Sequence, residues 1–166
     1  MRAGIALGSN LGDRLGQLQA ARAQVIGLPG FQPPLLASAV YETEPVDCEP
    51  NAPRFLNAVL EIEYVPDARN LLQELGLIEA ALGRPPSHAR NVSRTLDLDL
   101  LYCGDAQFSE PELQLPHPRM RDRRFVLEPL SDIRPDLVLP SQSESVAALL
   151  RRLSPTPALV RVASEW

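Results

Sequence analysis

The spacing of apolar residues predicts a strand and then a helix at the start of the chain. Residues 1–7 are a short apolar run that leads into the turn Gly8-Ser9-Asn10. Beyond the turn, Asn10 or Asp13 is placed to cap a helix, because both side chains carry an oxygen that can accept from a free backbone N–H. The apolar positions of this helix recur at helical spacing, at Leu11, Leu15, Leu18, Ala21 and Val25.

Two further strands are predicted before the middle of the chain. Residues 35–41 predict one, and residues 55–64, FLNAVLEIEY, alternate as a strand does. One face of the second strand is assigned to the core and consists of Leu56, Ala58, Leu60, Ile62 and Tyr64. The opposite face begins with Phe55 and Asn57 and becomes polar towards its end, so these two side chains point away from the aliphatic core.

The second half of the chain repeats the pattern of helix and strand. Residues 67–82 predict a helix with an apolar stripe. Asp67 marks the start of this helix and Gly83 ends it. Residues 95–102, TLDLDLLY, predict a strand in which leucines alternate with Asp97 and Asp99. The remaining predicted elements are a turn at Gly104-Asp105 with a hairpin to about residue 115, helices at 121–130 and 145–153, and an edge strand at 159–162.

The order strand, helix, strand, strand, helix, strand predicts an α+β fold. This order is typical of a ferredoxin-like α/β sandwich, in which a mainly antiparallel sheet carries helices packed on it. A length of 166 residues suits a single domain, residues 1–166. The segments 42–53 and 84–93 are long for loops of a compact domain, which favours a functional role for both.

Composition and charge exclude several classes of protein. The net charge of −5 argues against a general binder of nucleic acids or acidic membranes. The chain has neither an apolar run long enough to span a membrane nor a secretion signal, so we expect a cytoplasmic protein. Cys48 and Cys103 are far apart in sequence and are expected to be free thiols. A monomer is expected.

Asp97 and Asp99 form the most informative short motif. On a strand they share one face with Cα atoms ~6.6 Å apart, while their leucine neighbours fix the other face in the core. Two carboxylates at this spacing suit Mg²⁺, which also takes water and substrate phosphates as ligands. A solvated strand face is the alternative explanation. Arg94, just before the pair, favours phosphate binding, because a guanidinium binds phosphate oxygens in a bidentate manner.

Positive charge is concentrated in one part of this acidic chain. Every fixed positive side-chain charge is an arginine, and four arginines lie within residues 119–124, close to His117. Such a cluster suits a small polyanion such as a triphosphate, although a solvated helix face has the same composition. The chain contains no GxxxxGK[ST] loop, so arginines and metal ions would have to hold the phosphates of any ATP.

Six segments taken together resemble the 6-hydroxymethyl-7,8-dihydropterin pyrophosphokinase family. They occur in the family's order and are spread over residues 8–130. The segments are GSNLGDR (8–14), YETEP (41–45), FLNAV (55–59), IEAALGR (78–84), RTLDLDLL (94–101) and LPHPRMRDRRFVLEPL (115–130). The resemblance implies an enzyme of folate biosynthesis that transfers pyrophosphate from ATP to the hydroxymethyl group of the dihydropterin and releases AMP.

The resemblance also implies a role for individual residues. Asp97 and Asp99 match the ligands of two Mg²⁺ ions, and together with Arg84 and Arg94 they form the implied catalytic set. The implied ATP contacts are Glu79, Arg84, Arg94, Leu100, His117 and Arg123. The implied pterin contacts are Thr43, Pro45, Val46, Phe55, Asn57 and Phe125. Among these, Phe55 and Phe125 match the aromatic side chains that sandwich the pterin, and Asn57 matches the amide that reads its polar edge.

Departures from the family pattern concentrate around the 84–93 segment. Asn91 and Val92 stand where an aromatic residue is often found, and Pro86 replaces a frequent arginine. Three alternatives to the family's reaction remain at this point. They are another Mg²⁺-dependent nucleotidyl- or phosphotransferase, a nucleic-acid-binding ferredoxin-like module that uses the 119–124 arginines, and a non-catalytic small-molecule sensor.

Overall fold

The computed structural model describes residues 1–46, 49–83 and 93–166. The strands in these residues are β1 (Arg2–Ser9), β2 (Phe31–Ala37), β3 (Val40–Thr43), β4 (Phe55–Tyr64), β5 (Asp97–Cys103), β6 (Phe108–Ser109), β7 (Gln114–Leu115) and β8 (Val160–Ala163). The helices are α1 (Arg14–Ile26), α2 (Ala68–Ala81), α3 (Arg124–Ile133) and α4 (Val146–Arg152), with a 3₁₀ turn at Met120–Asp122.

The described residues form one antiparallel sheet of six strands and a separate two-stranded hairpin, β6–β7. The strand order of the large sheet is β5-β1-β4-β3-β8, and β2 pairs with the far half of β4. The order β1-α1-β2/β3-β4-α2-β5 along the chain, with β1 and β4 in the centre of the sheet, is that of a ferredoxin-like sandwich. The predicted α+β fold is therefore confirmed. The longest of these helices, α2, has 14 residues, and none has the length and hydropathy of a membrane span.

Helices cover both faces of the sheet. The first core lies under α1 and α2 and contains the predicted face of β4, from Leu56 to Tyr64. The second core lies under α3 and α4 and contains Val59 of the opposite face of β4. The sequence predicted a core on only one face of β4. The opposite face ends in polar residues, so its sequence does not indicate that α3 covers it.

Two carboxylates hold the C-terminal end of α3 on the sheet. Glu61 of β4 is 5% exposed, accepts from the Tyr102 hydroxyl at 2.6 Å and lies 3.4 Å from Arg134 Nε. Asp132 accepts from the Tyr41 hydroxyl at 3.0 Å and from a backbone N–H of the segment that joins β2 to β3, at 3.1 Å. A buried carboxylate such as that of Glu61 is tolerated where such partners replace water. These contacts set the position of α3, whose first turn reaches the site described below.

The predicted strand at residues 35–41 is divided into β2 and β3. The pairing shifts by one residue between Ala37↔Leu60 and Tyr41↔Asn57, as at a β-bulge. Ser38 fills the break, since its N–H donates to the Val59 carbonyl and its hydroxyl accepts from the Val59 N–H, both at 2.9 Å. The side chain therefore replaces a backbone acceptor of the ladder.

The helix starts select between the alternatives left by the sequence. Asp13 caps α1 by accepting from Gly16 N at 3.0 Å, and Asn10 does not have this role. Asp67 caps α2 in the same way, as predicted. Helix α3 begins at Arg124 and not at residue 121, because the 3₁₀ turn takes up the preceding residues. The hairpin predicted after Gly104 forms, but its strands pair with each other and not with β5.

Candidate active site

The site lies on the α3 side of the sheet, where the ends of four strands meet the start of α3. The register places Gly8 of β1 opposite both Asp97 of β5 and Asn57 of β4. Directly opposed residues point to the same face, so Asp97, Gly8 and Asn57 form a row across the sheet. A side chain at Gly8 would crowd this row, because its Cβ would lie 3.2 Å from Asn57 Oδ1. The glycine therefore leaves open space between Asp97 and Asn57, and this space is the floor of the site.

An apolar pocket that is open to solvent stands on this floor. Its walls are Ala6, Leu7, Gly8, Thr43, Glu44, Val46, Phe55, Asn57, Arg94, Asp97, Asp99, Arg123, Phe125 and Val126. Asn57 Nδ2 donates to Thr43 Oγ1 at 2.7 Å, and both residues are buried. The pocket thus combines aromatic surface with a few oriented polar groups, which suits a flat heteroaromatic ligand.

A polar cleft adjoins the apolar pocket. Its walls are Leu72, Arg94, Asp97, Leu98, Asp99, Leu100, Pro111, Glu112, Leu113, Gln114, His117, Pro118, Arg119 and Arg123. Four charged residues line both spaces: Arg94, Asp97, Asp99 and Arg123. A ligand in the pocket and a ligand in the cleft would therefore meet at the paired aspartates.

The negative charges of the paired aspartates repel each other, and the nearby arginines offset this repulsion only in part. Arg94 Nη1 lies 2.8 Å from Asp97 Oδ1, whereas Arg123 Nη1 lies 3.8 Å from Asp99 Oδ2. Burial raises the pKa of Asp99 to about 6, and the negative charge of Asp97 adds to the rise. A further cation between the two carboxylates would favour their ionised forms.

The donor set fits Mg²⁺ better than a metal that needs a cage of protein ligands. Among the described residues there is no group of three or more His, Cys, Asp or Glu side chains able to hold a metal ion. Mg²⁺ is commonly bound by one or two carboxylates, with water and phosphate oxygens completing its octahedron. Asp97 and Asp99 could supply that share of the ligands.

His117 is a neutral donor in the polar cleft. Burial and the positive charges of Arg123 and Arg119 lower the pKa of His117 to about 4. The Arg119 N–H donates to His117 Nδ1 at 3.3 Å, which leaves the ring proton on Nε2. The His117 N–H donates to the Leu101 carbonyl at 2.8 Å, so the residue is fixed to β5.

Most of the residues implied by the resemblance come together at these two spaces. The apolar pocket includes Thr43, Val46, Phe55, Asn57 and Phe125, and the polar cleft includes Leu100 and His117. Arg123 lies over the Phe125 ring, 5.4 Å from its centroid, and so joins the aromatic wall to the shared arginines. The roles assigned to all of these residues stay predictions.

Three other implied residues differ from these in their position. Glu79 accepts from the Leu98 N–H at 2.7 Å and so contacts the strand between the two aspartates. Among the described residues, Pro45 is not part of either wall but lies between Glu44 and Val46, which are. Arg84 lies outside the described residues. The sequence did not indicate Glu44 and Gln114 as wall residues, although Glu44 lies within the quoted segment 41–45 and Gln114 directly precedes the segment 115–130.

Comparison with known proteins agrees with this geometry. A model of the HPPK family, described as 7,8-dihydro-6-hydroxymethylpterin-pyrophosphokinase, matches residues 4–135. The chain is 39% identical over 155 residues to the 2-amino-4-hydroxy-6-hydroxymethyldihydropteridine pyrophosphokinase of Methylorubrum extorquens, covering 93% of this chain and 95% of the relative. It is 40% identical over 137 residues to the protein of the same name from Pseudomonas aeruginosa, covering 82% of each.

A solved structure shares the fold. Plasmodium falciparum HPPK-DHPS, crystallised as the wild type with SDX-DHP, superposes on 91% of this chain with a TM-score of 0.68 and 12% sequence identity. This chain spans 44% of that longer chain. At this identity the likeness concerns the fold alone.

Proposed function

The chain belongs to the 7,8-dihydro-6-hydroxymethylpterin-pyrophosphokinase family, and we propose that it performs the family's reaction where the apolar pocket and the polar cleft meet. It is a pyrophosphokinase of folate biosynthesis that transfers pyrophosphate from ATP to the hydroxymethyl group of the dihydropterin and releases AMP. One observation carries the assignment of the site: two spaces of opposite chemistry share Asp97 and Asp99.

The pterin occupies the apolar pocket. Phe55 and Phe125 supply aromatic surface for a flat ring, and Asn57 and Thr43 supply polar groups for its edge. The Asn57 amide is oriented by its bond to Thr43, so the pocket discriminates by hydrogen bonding as well as by shape. The hydroxymethyl group then points towards the shared aspartates.

ATP occupies the polar cleft, with its phosphates near the charged residues. Arg94, Arg123 and neutral His117 are donors for phosphate oxygens, and they act more strongly in a partly buried site than in water. Leu72, Leu100 and Leu113 line the same cleft and provide apolar surface for the base. Asp97 and Asp99 would hold Mg²⁺, which would offset the negative charge of the ATP phosphates when bound.

The reaction replaces one oxygen on the β-phosphorus by another. The pterin hydroxyl oxygen forms a bond to the β-phosphorus of ATP, the bond from that phosphorus to the α–β bridging oxygen breaks, and AMP departs with the electron pair. The hydroxyl proton leaves to solvent. Arg94 and Arg123 stabilise the charge that grows on the phosphates, and the two pockets hold attacker and phosphorus in line.

The direct test is product analysis. The protein is incubated with ATP, Mg²⁺ and 6-hydroxymethyl-7,8-dihydropterin, and the products are separated by chromatography. We expect AMP and the pterin diphosphate in equal amounts, and neither product with 6-methyl-dihydropterin, which lacks the hydroxyl. Formation of ADP, or AMP formed equally well without the hydroxyl, would contradict the proposal.

The nucleic-acid-binding alternative receives less support from the structure. Within the 119–124 cluster, Arg123 lies near Asp99 and Arg124 forms an ion pair with Glu128 at 2.6 Å. An exposed row of arginines for a nucleic-acid backbone would not be committed to acids in this way. The absence of nucleic-acid binding, the monomeric state, the single domain at residues 1–166 and the cytoplasmic location stay predictions.

A further inference from the structure

Asn10 lies at the centre of a hydrogen-bond network beside the site. It follows the last residue of β1 and is 2% exposed. Its backbone N–H donates to the Arg94 carbonyl at 3.1 Å, and its Oδ1 accepts from the Arg94 N–H at 2.7 Å. Its Nδ2 donates to the Pro53 carbonyl at 3.2 Å and to Ser93 Oγ at 2.9 Å. Its backbone N–H, amide oxygen and amide nitrogen are thus all engaged.

The partners fix the orientation of the Asn10 amide. The Pro53 carbonyl can only accept, so it must face Nδ2, and the Arg94 N–H can only donate, so it must face Oδ1. The two hydrogen bonds that Nδ2 donates therefore fix the plane of the amide group, and with it the position from which Oδ1 accepts from the Arg94 N–H. An exchange of the two amide groups would break both contacts.

Arg94 depends on this network because it lies outside the sheet. The last paired residues of β1 and β5 are Gly8 and Asp97, so Arg94 lies beyond the ladder. Asn10 binds both the N–H and the carbonyl of Arg94 and so fixes its backbone where the strands no longer do. The Arg94 guanidinium, 2.8 Å from Asp97, is aimed from this fixed point into both pockets.

We propose that Asn10 is a positioning residue that places Arg94 against the paired aspartates and the phosphates of ATP. The inference rests on the proposed function, since it concerns the same site. Asn10 acts through Arg94 and not by touching a ligand. Its removal should therefore weaken ATP binding and turnover far more than pterin binding. Arg94 also lines the apolar pocket, but Phe55 and Asn57 are held by the pairing of β4 with β3, and Phe125 belongs to α3.

The first test compares two asparagines that both make buried or partly buried hydrogen bonds. Asn10→Ala should raise the Kd of Mg²⁺-ATP about tenfold and lower kcat by a similar factor, since small displacements of a positioned group have effects of this order. The Kd of the pterin should change less than about twofold. Asn70→Ala is the matched control, because Asn70 accepts from the Tyr64 hydroxyl at 2.6 Å far from the site. It should lower Tm without changing either Kd.

The second test is a double-mutant cycle. If Asn10 acts through Arg94, the effect of Asn10→Ala on the Kd of ATP should disappear in an Arg94→Ala background. Ser93→Ala removes one acceptor of the Asn10 amide, together with the side-chain hydrogen bond between Ser93 and Glu49, and should fold even if Asn10→Ala does not. It should raise the Kd of ATP about threefold and show the same dependence on Arg94.

The outcomes separate the two claims. A wild-type protein that turns over ATP while Asn10→Ala and Ser93→Ala behave like Asn70→Ala overturns the positioning role and leaves the proposed function standing. An undiminished effect of either variant in the Arg94→Ala background overturns it as well. A wild-type protein that binds ATP and forms no AMP overturns the proposed function, and the ATP affinities of the variants still decide the role of Asn10.

Discussion

The apolar pocket and the polar cleft share four charged residues but are built in different ways. In the pocket, the polar groups already satisfy one another: Asn57 is 8% exposed and bonds to Thr43, which is 6% exposed. In the cleft, burial and the positive charges of Arg123 and Arg119 lower the pKa of His117 to about 4. The sheet shapes the first space before any ligand arrives, whereas the second becomes electrostatically favourable only when an anion enters.

This contrast has a consequence for specificity. A pocket with a fixed amide and aromatic walls selects by shape and hydrogen bonding, so a wrong ring leaves buried polar groups without partners. A cleft of guanidinium groups selects by charge and tolerates variation in what carries the phosphates. We therefore expect substitutions in the pocket to weaken the binding of one ligand sharply. Substitutions of the four shared charged residues should instead lower the rate of the reaction.

The largest effect is expected at the paired aspartates. Asp99→Ala removes one of the two carboxylates proposed to hold Mg²⁺ and should lower kcat by about 10³-fold or more. It should not lower Tm, because burial beside Asp97 already disfavours the Asp99 charge. Steady-state kinetics and thermal melts measure both. Asp105→Ala, in an exposed turn, is the control, and near-normal Mg²⁺-dependent activity of Asp99→Ala would contradict the role.

A sharp effect on one ligand is expected in the apolar pocket. Phe125→Ala should raise the Kd of the pterin about 30-fold, through lost stacking and burial, and that of ATP less than about threefold. Calorimetry with each ligand measures the difference. Phe108→Ala is a matched control, because Arg69 lies over the Phe108 ring at 5.3 Å as Arg123 does over Phe125 at 5.4 Å. Equal losses for both ligands would rule out the aromatic sandwich.

A smaller effect should reach the pocket through α3. Tyr41→Phe removes the hydroxyl that donates to Asp132 and should lower the free energy of unfolding by about 1 kcal/mol. Because α3 carries Phe125, the Kd of the pterin should rise about twofold while that of ATP stays constant. Denaturant melts and calorimetry provide the values. A change in ATP affinity larger than the change in pterin affinity would show that the pocket does not depend on this anchor.

The smallest expected signal concerns the cleft. At about pH 5.5 His117 is neutral, because burial and two arginines hold its pKa near 4. Phosphates in the cleft should offset those arginines and raise the pKa of His117, so His117 should take up a fraction of a proton when ATP binds. Because Asp99, with a pKa of about 6, releases a proton when Mg²⁺ binds, the uptake is taken as the difference between the wild type and His117→Gln. Calorimetry in buffers of different ionisation enthalpy measures this uptake. The same uptake in His117→Gln would show that another group takes the proton.

The predictability of the fold differed between elements for physical reasons. The bounds of β4 matched the strict alternation of residues 55–64, and α2 was marked by Asp67 at its start and Gly83 after its end. The break at Ser38 was not predictable, because a serine that replaces a backbone acceptor resembles any other strand serine. The start of α3 was misplaced since apolar spacing does not distinguish a 3₁₀ turn from a first α-helical turn.

The same holds for the site. Asp97 and Asp99 were found because alternating leucines fix which way they point. Phe125 resembles a core residue in any apolar pattern, and only the family resemblance indicated its role. Asn10 was considered only as a helix cap, because the contacts that occupy it come from residues 53, 93 and 94, which are distant in sequence. Local patterns cannot report such contacts.

The hydrogen bond from Leu98 to Glu79 bears on how the protein behaves at high concentration. Strand β5 is at the margin of the sheet, and a margin with unsatisfied N–H groups attracts strands from other molecules. Glu79 occupies the Leu98 N–H at 2.7 Å, between the two aspartates. A strand from another molecule would have to displace the Glu79 carboxylate and place its backbone beside two more negative charges. This arrangement disfavours aggregation through the β5 edge of the sheet.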